Sequence, residues 1–124
     1  MANPLKGISW VLEKTVKAAV HRRLRKIGAY QHWPVQMGMG DRTLDCIGCY
    51  MSYYFGVECK APGKKTTKIQ DYTIEQIREA GGIVFVVDSV ESANAIFADH
   101  PSTYAAITRS IRPNFRVVAG RQDG

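Results

Sequence analysis

Glu13, Val16, Val20, Leu24 and Ile27 recur at 3-4-4-3 spacing, which puts them on one stripe of a helix predicted over residues 7–27. Lys14, Lys17, His21, Arg22, Arg25 and Lys26 lie mostly on the remaining surface, and the cationic last turn suits the helix dipole. Gly28 is a natural stop. An acid at the head of an apolar stripe has two readings. Glu13 is either a half-exposed first-turn acid favoured by the dipole or a carboxylate aimed inward.

The periodicity then changes from helical to alternating. Residues 29–36 read as a strand interrupted by Pro34, and the Gly-rich residues 37–42 read as a loop. Residues 44–50 and 53–60 read as a hairpin joined tightly at Met51-Ser52. Alternation places Asp45, Ile47 and Cys49 on one face of the first arm and Glu58 and Lys60 on one face of the second. Val57 and Cys59 turn the other way, toward a core.

A basic, Pro/Gly-broken loop over residues 61–66 leads to a second helix over residues 67–80. Thr67-Lys68-Ile69-Gln70 fits a capping box, which gives Gln70 a structural task. Gln70 also heads the row Gln70-Ile74-Ile77, which points it toward the sheet. Gly81-Gly82 ends this helix. Ile83–Val87 has no polar alternation and reads as a central strand covered on both faces. Ser89 is placed to cap a third helix reaching about residue 99, with Val90, Ala93, Ile96 and Phe97 inward. Pro101 breaks it, residues 102–111 form a last short helix, and residues 112–124 read as a flexible tail. The order is α-β-β-β-α-β-α. A hairpin followed by a right-handed crossover predicts an α/β domain over residues 1–111 with a mixed central sheet flanked by helices.

At 124 residues and 45% hydrophobic content, the chain suffices for one domain with its own core. No apolar run reaches transmembrane length and residues 1–6 lack a signal-peptide core, so the expected location is the cytoplasm, with no membrane partner. The net charge of +6 is uneven: residues 1–70 carry 12 Lys/Arg against 4 Asp/Glu, and residues 71–124 carry 5 against 7. The basic half holds Asp45, Glu58 and Lys60, so a cationic rim surrounds an acidic pair, an arrangement suited to phosphates. Cys46 and Cys49 have C-x-x-C spacing, but residues three apart on a strand face opposite sides. With Cys59 they read as small core residues rather than a zinc site.

Two carboxylates sharing a face offer hard oxygen ligands to a divalent cation. A lysine beside them can orient or activate a water. That is the minimum equipment for metal-assisted phosphodiester hydrolysis.

These residues, in this order, resemble the PD-(D/E)xK nuclease superfamily, and more narrowly the VRR-NUC family in its small stand-alone, phage-type members. The resemblance runs from Glu13 to Asp88 and is carried by Glu58-Cys59-Lys60-Ala61-Pro62-Gly63, Gln70, Gly81-Gly82 and Val87-Asp88-Ser89. It implies that Asp45 and Glu58 bind Mg²⁺ or Mn²⁺, with the main-chain carbonyl of Cys59 as a further ligand. Lys60 orients the attacking water, Gln70 supports the site, and Glu13 completes the acidic cluster directly or through a water. It further implies a homodimeric endonuclease for branched DNA such as four-way (Holliday) junctions, located in a host cytoplasm if phage-encoded, with no small-molecule cofactor. Lys14, Lys17, Arg22, Arg25, Lys64, Lys65 and Lys68 are the expected phosphate contacts. Tyr50, Tyr53, Tyr54, Phe55 and Tyr104 are either interface or core aromatics. Leu44 stands where the family commonly has proline, which makes Asp41 a competitor for the acidic role; Asp45 is preferred because Asp41 falls in a Gly-rich loop. The rival readings are a nickase, a flap or single-strand nuclease, and a non-catalytic DNA-binding module.

Overall fold

The computed structural model describes residues 6–35 and 42–111. Their elements are α1 (Lys6–Ile27), β1 (Tyr30–His32), β2 (Cys46–Tyr50), β3 (Tyr53–Cys59), α2 (Lys68–Glu79), β4 (Ile83–Val87), α3 (Val90–Asn94) and α4 (Pro101–Ile111). The strands form one mixed sheet in the order β1-β2-β3-β4, antiparallel except for the parallel β3–β4 pair. The loop acid Asp41 and the tail at residues 112–124 lie outside the described residues.

The helical stripe packs as its spacing requires. Val16, Ala19, Val20 and Leu24 of α1 are fully buried against Cys46, Phe55, Val57 and Cys59 of the sheet, with Ile27 partly buried beside them. The helix closes in a Schellman motif: Gly28 at φ +78° donates to Arg25 O, and Ala29 donates to Leu24 O at 3.0 Å. Its first turn contains no acid, so the dipole reading of Glu13 fails; that residue lies two turns in.

Tyr50 pairs with Tyr53 across a two-residue turn in which Met51 (φ +50°) and Ser52 (φ +73°) are both left-handed, the twist that hairpins favour. Along β3, Phe55, Val57 and Cys59 face α1, while Gly56 and Glu58 face α2. The α2 side is a smaller core of Leu44, Ile74 and Val84 with Ile77 packed against it. A side chain at Gly82 would meet Ile77 Cγ2 at 2.6 Å, so α2 lies close on the start of β4.

Five expectations need correction. The first strand is only Tyr30–His32, because Pro34 has no N–H to continue a ladder. β4 pairs only with β3 among the described residues and is an edge strand, with Val86 exposed. An unbroken apolar run fixes neither the strand's neighbours nor the cover on both of its faces. α3 ends at Asn94, well short of residue 99, and Phe97 follows in the left-handed region at φ +52°. Arg23 Nε donates to Ile96 O at 2.9 Å, satisfying a carbonyl that a longer helix would have used. Ile96 and Phe97 still point inward, with the Phe97 ring 4.9 Å from those of both Tyr50 and Phe85, but Val90 is exposed. Cys49 is exposed as well, on the opposite face from buried Cys46.

Candidate functional site

Asp45 and Glu58 meet where β2 begins and β3 ends. The hairpin register carried one step past Cys46↔Val57 sets them opposite each other. The sequence reading has Asp45 within the strand on the face of Ile47; instead it lies in a bend just before β2. Its Oδ2 accepts the Cys59 N–H at 2.8 Å, taking the place of a ladder carbonyl, and its own N–H donates to Glu58 Oε1 at 3.3 Å. Glu58 thus holds the Asp45 backbone, and Asp45 holds the backbone of Cys59, the next residue after Glu58. Proline at position 44 is not needed to set this register, since Leu44 is anchored in the α2-side core.

Gln70 performs both tasks proposed for it. Its Oε1 accepts the Thr67 N–H at 2.9 Å and the Thr67 hydroxyl accepts the Gln70 N–H, completing the capping box. That bond fixes the amide orientation, so Nε2 is the atom left to face Glu58, and it donates to Oε2 at 2.6 Å. Lys60 Nζ approaches the same Oε2 at 4.0 Å. The Lys60 backbone N–H is held by Val87 O at 2.8 Å, and Lys64 N donates to Ala61 O across a type II turn with Gly63 at φ +80°. A cleft bordered by Arg42, Asp45, Glu58, Ile69, Gln70 and Thr73 opens beside the acids.

Glu13 acts on the pair through its charge, which helps to raise the Glu58 carboxyl. Lys17, grouped by sequence with the phosphate contacts, stands between: its Nζ lies 3.4 Å from Glu13 Oε2 and 3.8 Å from Asp45 Oδ1. The Glu13–Lys17 spacing of i, i+4 was the available signal; the contact with Asp45 was invisible without the fold. Among the described residues, no three His, Cys, Asp or Glu side chains group as a metal site. Lys14, Arg22, Arg25, Lys64, Lys65 and Lys68 are exposed. Of the aromatics, Phe55 is fully buried, Tyr50, Tyr53 and Tyr104 pack on the core, and Tyr54 is exposed.

Glu58 is 4% exposed. Burial pushes its carboxyl up to about 7, the Asp45 carboxylate adds to the rise, and Lys60 and the Asp45 N–H oppose it. Burial works to lower the Lys17 ammonium, but Asp45 and Glu13 outweigh it and hold the group above its ordinary value. Burial, with Asp45 adding to it, also raises the Cys59 thiol, which leaves that residue inert as a thiolate.

The Glu58 shift has a consequence for stability. An acid whose folded pKa exceeds its unfolded one binds protons on folding, so its contribution is full below pH 4.5 and lost as pH rises through about 7. The gap corresponds to about 3 kcal/mol. In EDTA, urea unfolding is expected to show wild type losing stability relative to Glu58→Gln between pH 5 and pH 8. A constant difference across that range would mean that the surrounding donors already compensate the charge.

No family model matches the chain, and no curated protein matches it. A solved structure described as a VRR_NUC domain matches with a TM-score of 0.60 at 21% identity, over 71% of this chain and 96% of that one. No described helix is long and apolar enough to cross a membrane. With its mixed four-stranded sheet between helices, the chain has the fold of a VRR_NUC domain.

Proposed function

We propose that the protein is a metal-dependent, structure-selective DNA endonuclease that hydrolyses phosphodiester bonds in branched DNA such as four-way junctions, acting as a homodimer. The observation that carries this reading is the buried Glu58 carboxylate held against Asp45, with Gln70 and Lys60 on the same oxygen. Two carboxylates so placed repel each other, and that repulsion adds to the burial that raises Glu58.

The donor set fits Mg²⁺ or Mn²⁺, which favour hard oxygens. Asp45 and Glu58 are the side-chain ligands. Cys59 supplies its carbonyl: its N–H already faces Asp45, and a strand residue directs N–H and C=O to the same side. When bound, the ion polarises the scissile phosphate and lowers the pKa of water. The protein's own groups do the rest. Gln70 keeps Glu58 oriented as an acceptor. Lys60 holds the attacking water by hydrogen bonding and stabilises charge that develops on the phosphate. The exposed Lys64, Lys65 and Lys68 around the start of α2, with Lys14, Arg22 and Arg25 on α1, hold DNA through its backbone, which favours recognition of shape over sequence. The described residues of one chain form one such site, so cutting both strands of a junction calls for two copies.

A non-catalytic DNA-binding module is the weaker reading. Burying one carboxylate against another costs stability and repels phosphate, which a binder would gain by avoiding.

The test is a panel of linear, flap, forked and four-way DNA with Mg²⁺ or Mn²⁺, together with the solution mass. We expect metal-dependent cleavage of the four-way substrate by a dimer, and binding that weakens steeply with salt. Binding without cleavage would favour the module, and preferential cutting of flaps or single nicks would favour the rival nucleases.

A further inference from the structure

Lys17 holds a position that the chemistry above leaves unexplained. Its contact with Glu13, one turn earlier on α1, is an ordinary helical pair. Its approach to Asp45 is tertiary and directed at one atom. Asp45 Oδ2 is engaged by the Cys59 N–H, whereas Oδ1 faces the Lys17 ammonium at 3.8 Å. Oδ1 is therefore the less committed oxygen of the two, and a cation already stands near it.

We propose that Lys17 is a built-in counter-ion that neutralises Asp45 while the site holds no divalent ion, and that ion binding displaces its ammonium from Asp45 onto Glu13. This rests on reading Asp45 and Glu58 as the ion-binding pair. Without Lys17, Asp45 would lose the ammonium that faces it beside the buried Glu58, which Lys60 approaches, and uncompensated charge next to a buried carboxylate is destabilising. A divalent ion and an ammonium cannot crowd the same oxygen without strong repulsion. The side chain of Lys17 is 40% exposed, so it can move, and Glu13 offers it a second partner without leaving the helix. On this reading Glu13 is the resting partner that keeps the displaced lysine beside the site. Lys17 acts as a positioning residue that stabilises the empty site and weakens the ion's hold on it.

The test is calorimetric titration of the full chain with Mn²⁺ alone, beside thermal unfolding in EDTA. Lys17→Met, and Lys17→Gln as a second variant, are expected to bind Mn²⁺ about 3–5-fold more tightly than wild type. Both are expected to unfold a few degrees lower in EDTA. Lys17→Arg keeps the charge and is expected to match wild type. Lys26→Met removes a charge from the exposed surface of the same helix and is expected to leave Mn²⁺ affinity unchanged. Unchanged or weaker Mn²⁺ binding by Lys17→Met, or an equal gain in Lys26→Met, would overturn the counter-ion role while leaving the ion site intact. If wild type binds no Mn²⁺, the ion-site reading fails and the displacement with it.

Discussion

Lys60→Ala is expected to lower metal-dependent cleavage of a four-way junction by at least about 10²–10³-fold, the loss typical of removing one charge-stabilising donor. The Lys60 side chain is largely buried, with its ammonium 4.0 Å from Glu58 Oε2. Its place is set by the backbone, through the bond to Val87 O, so truncation removes the ammonium without releasing the strand end. Mn²⁺ affinity and folding should therefore survive. Because Lys60 opposes the rise at Glu58, the variant's Glu58 carboxyl should titrate higher still. Raising the pH should ionise Glu58 again but should not restore cleavage to the wild-type rate, since an ionised acid does not replace the missing donor. Cleavage at the wild-type rate would remove Lys60 from the mechanism. Asp45→Asn is the companion variant: the amide oxygen can still accept the Cys59 N–H, so the fold should hold while the response to metal is lost. Asp41→Asn should retain that response.

The second large effect is structural. Gly48→Ala is expected to destabilise the protein by about 3 kcal/mol or more, lowering the melting temperature by about 10 °C. A Cβ at Gly48 would lie 1.9 Å from Tyr30 O and 2.9 Å from the Phe55 ring. A flexible side chain could yield to such a clash, but a backbone carbonyl in a paired strand cannot. Either β1 leaves β2 or the Phe55 ring leaves the core beneath Phe97. Gly56→Ala meets only the tip of Leu44 at 2.8 Å and should be milder. If thermal unfolding shows Gly48→Ala within a degree or two of wild type, β1 contributes little to the fold.

These two variants also separate what was readable in the chain from what was not. The Val16-Val20-Leu24 stripe, the hairpin at Met51-Ser52, the capping box at Thr67 and the Glu58/Lys60 pair were legible because each depends on local periodicity or local hydrogen bonding. Gln70 shows the boundary. Its sequence context gave it two tasks, and only the approach of α2 to β3 made one amide perform both.

By itself, the sequence determined the order of the elements, the inward residues of α1 and β3, and the grouping of Glu58 with Lys60. Tertiary structure alone decided that β4 is an edge strand, that α3 stops at Asn94 under the guanidinium of Arg23, and that Asp45 leaves its strand to bind the Cys59 N–H. It also decided that Lys17 faces Asp45 rather than open solvent. The physical reason is common to all four. Periodicity records which side of an element is apolar, whereas the partner of a strand edge, a helix end or a charged side chain is set by whichever distant group reaches it.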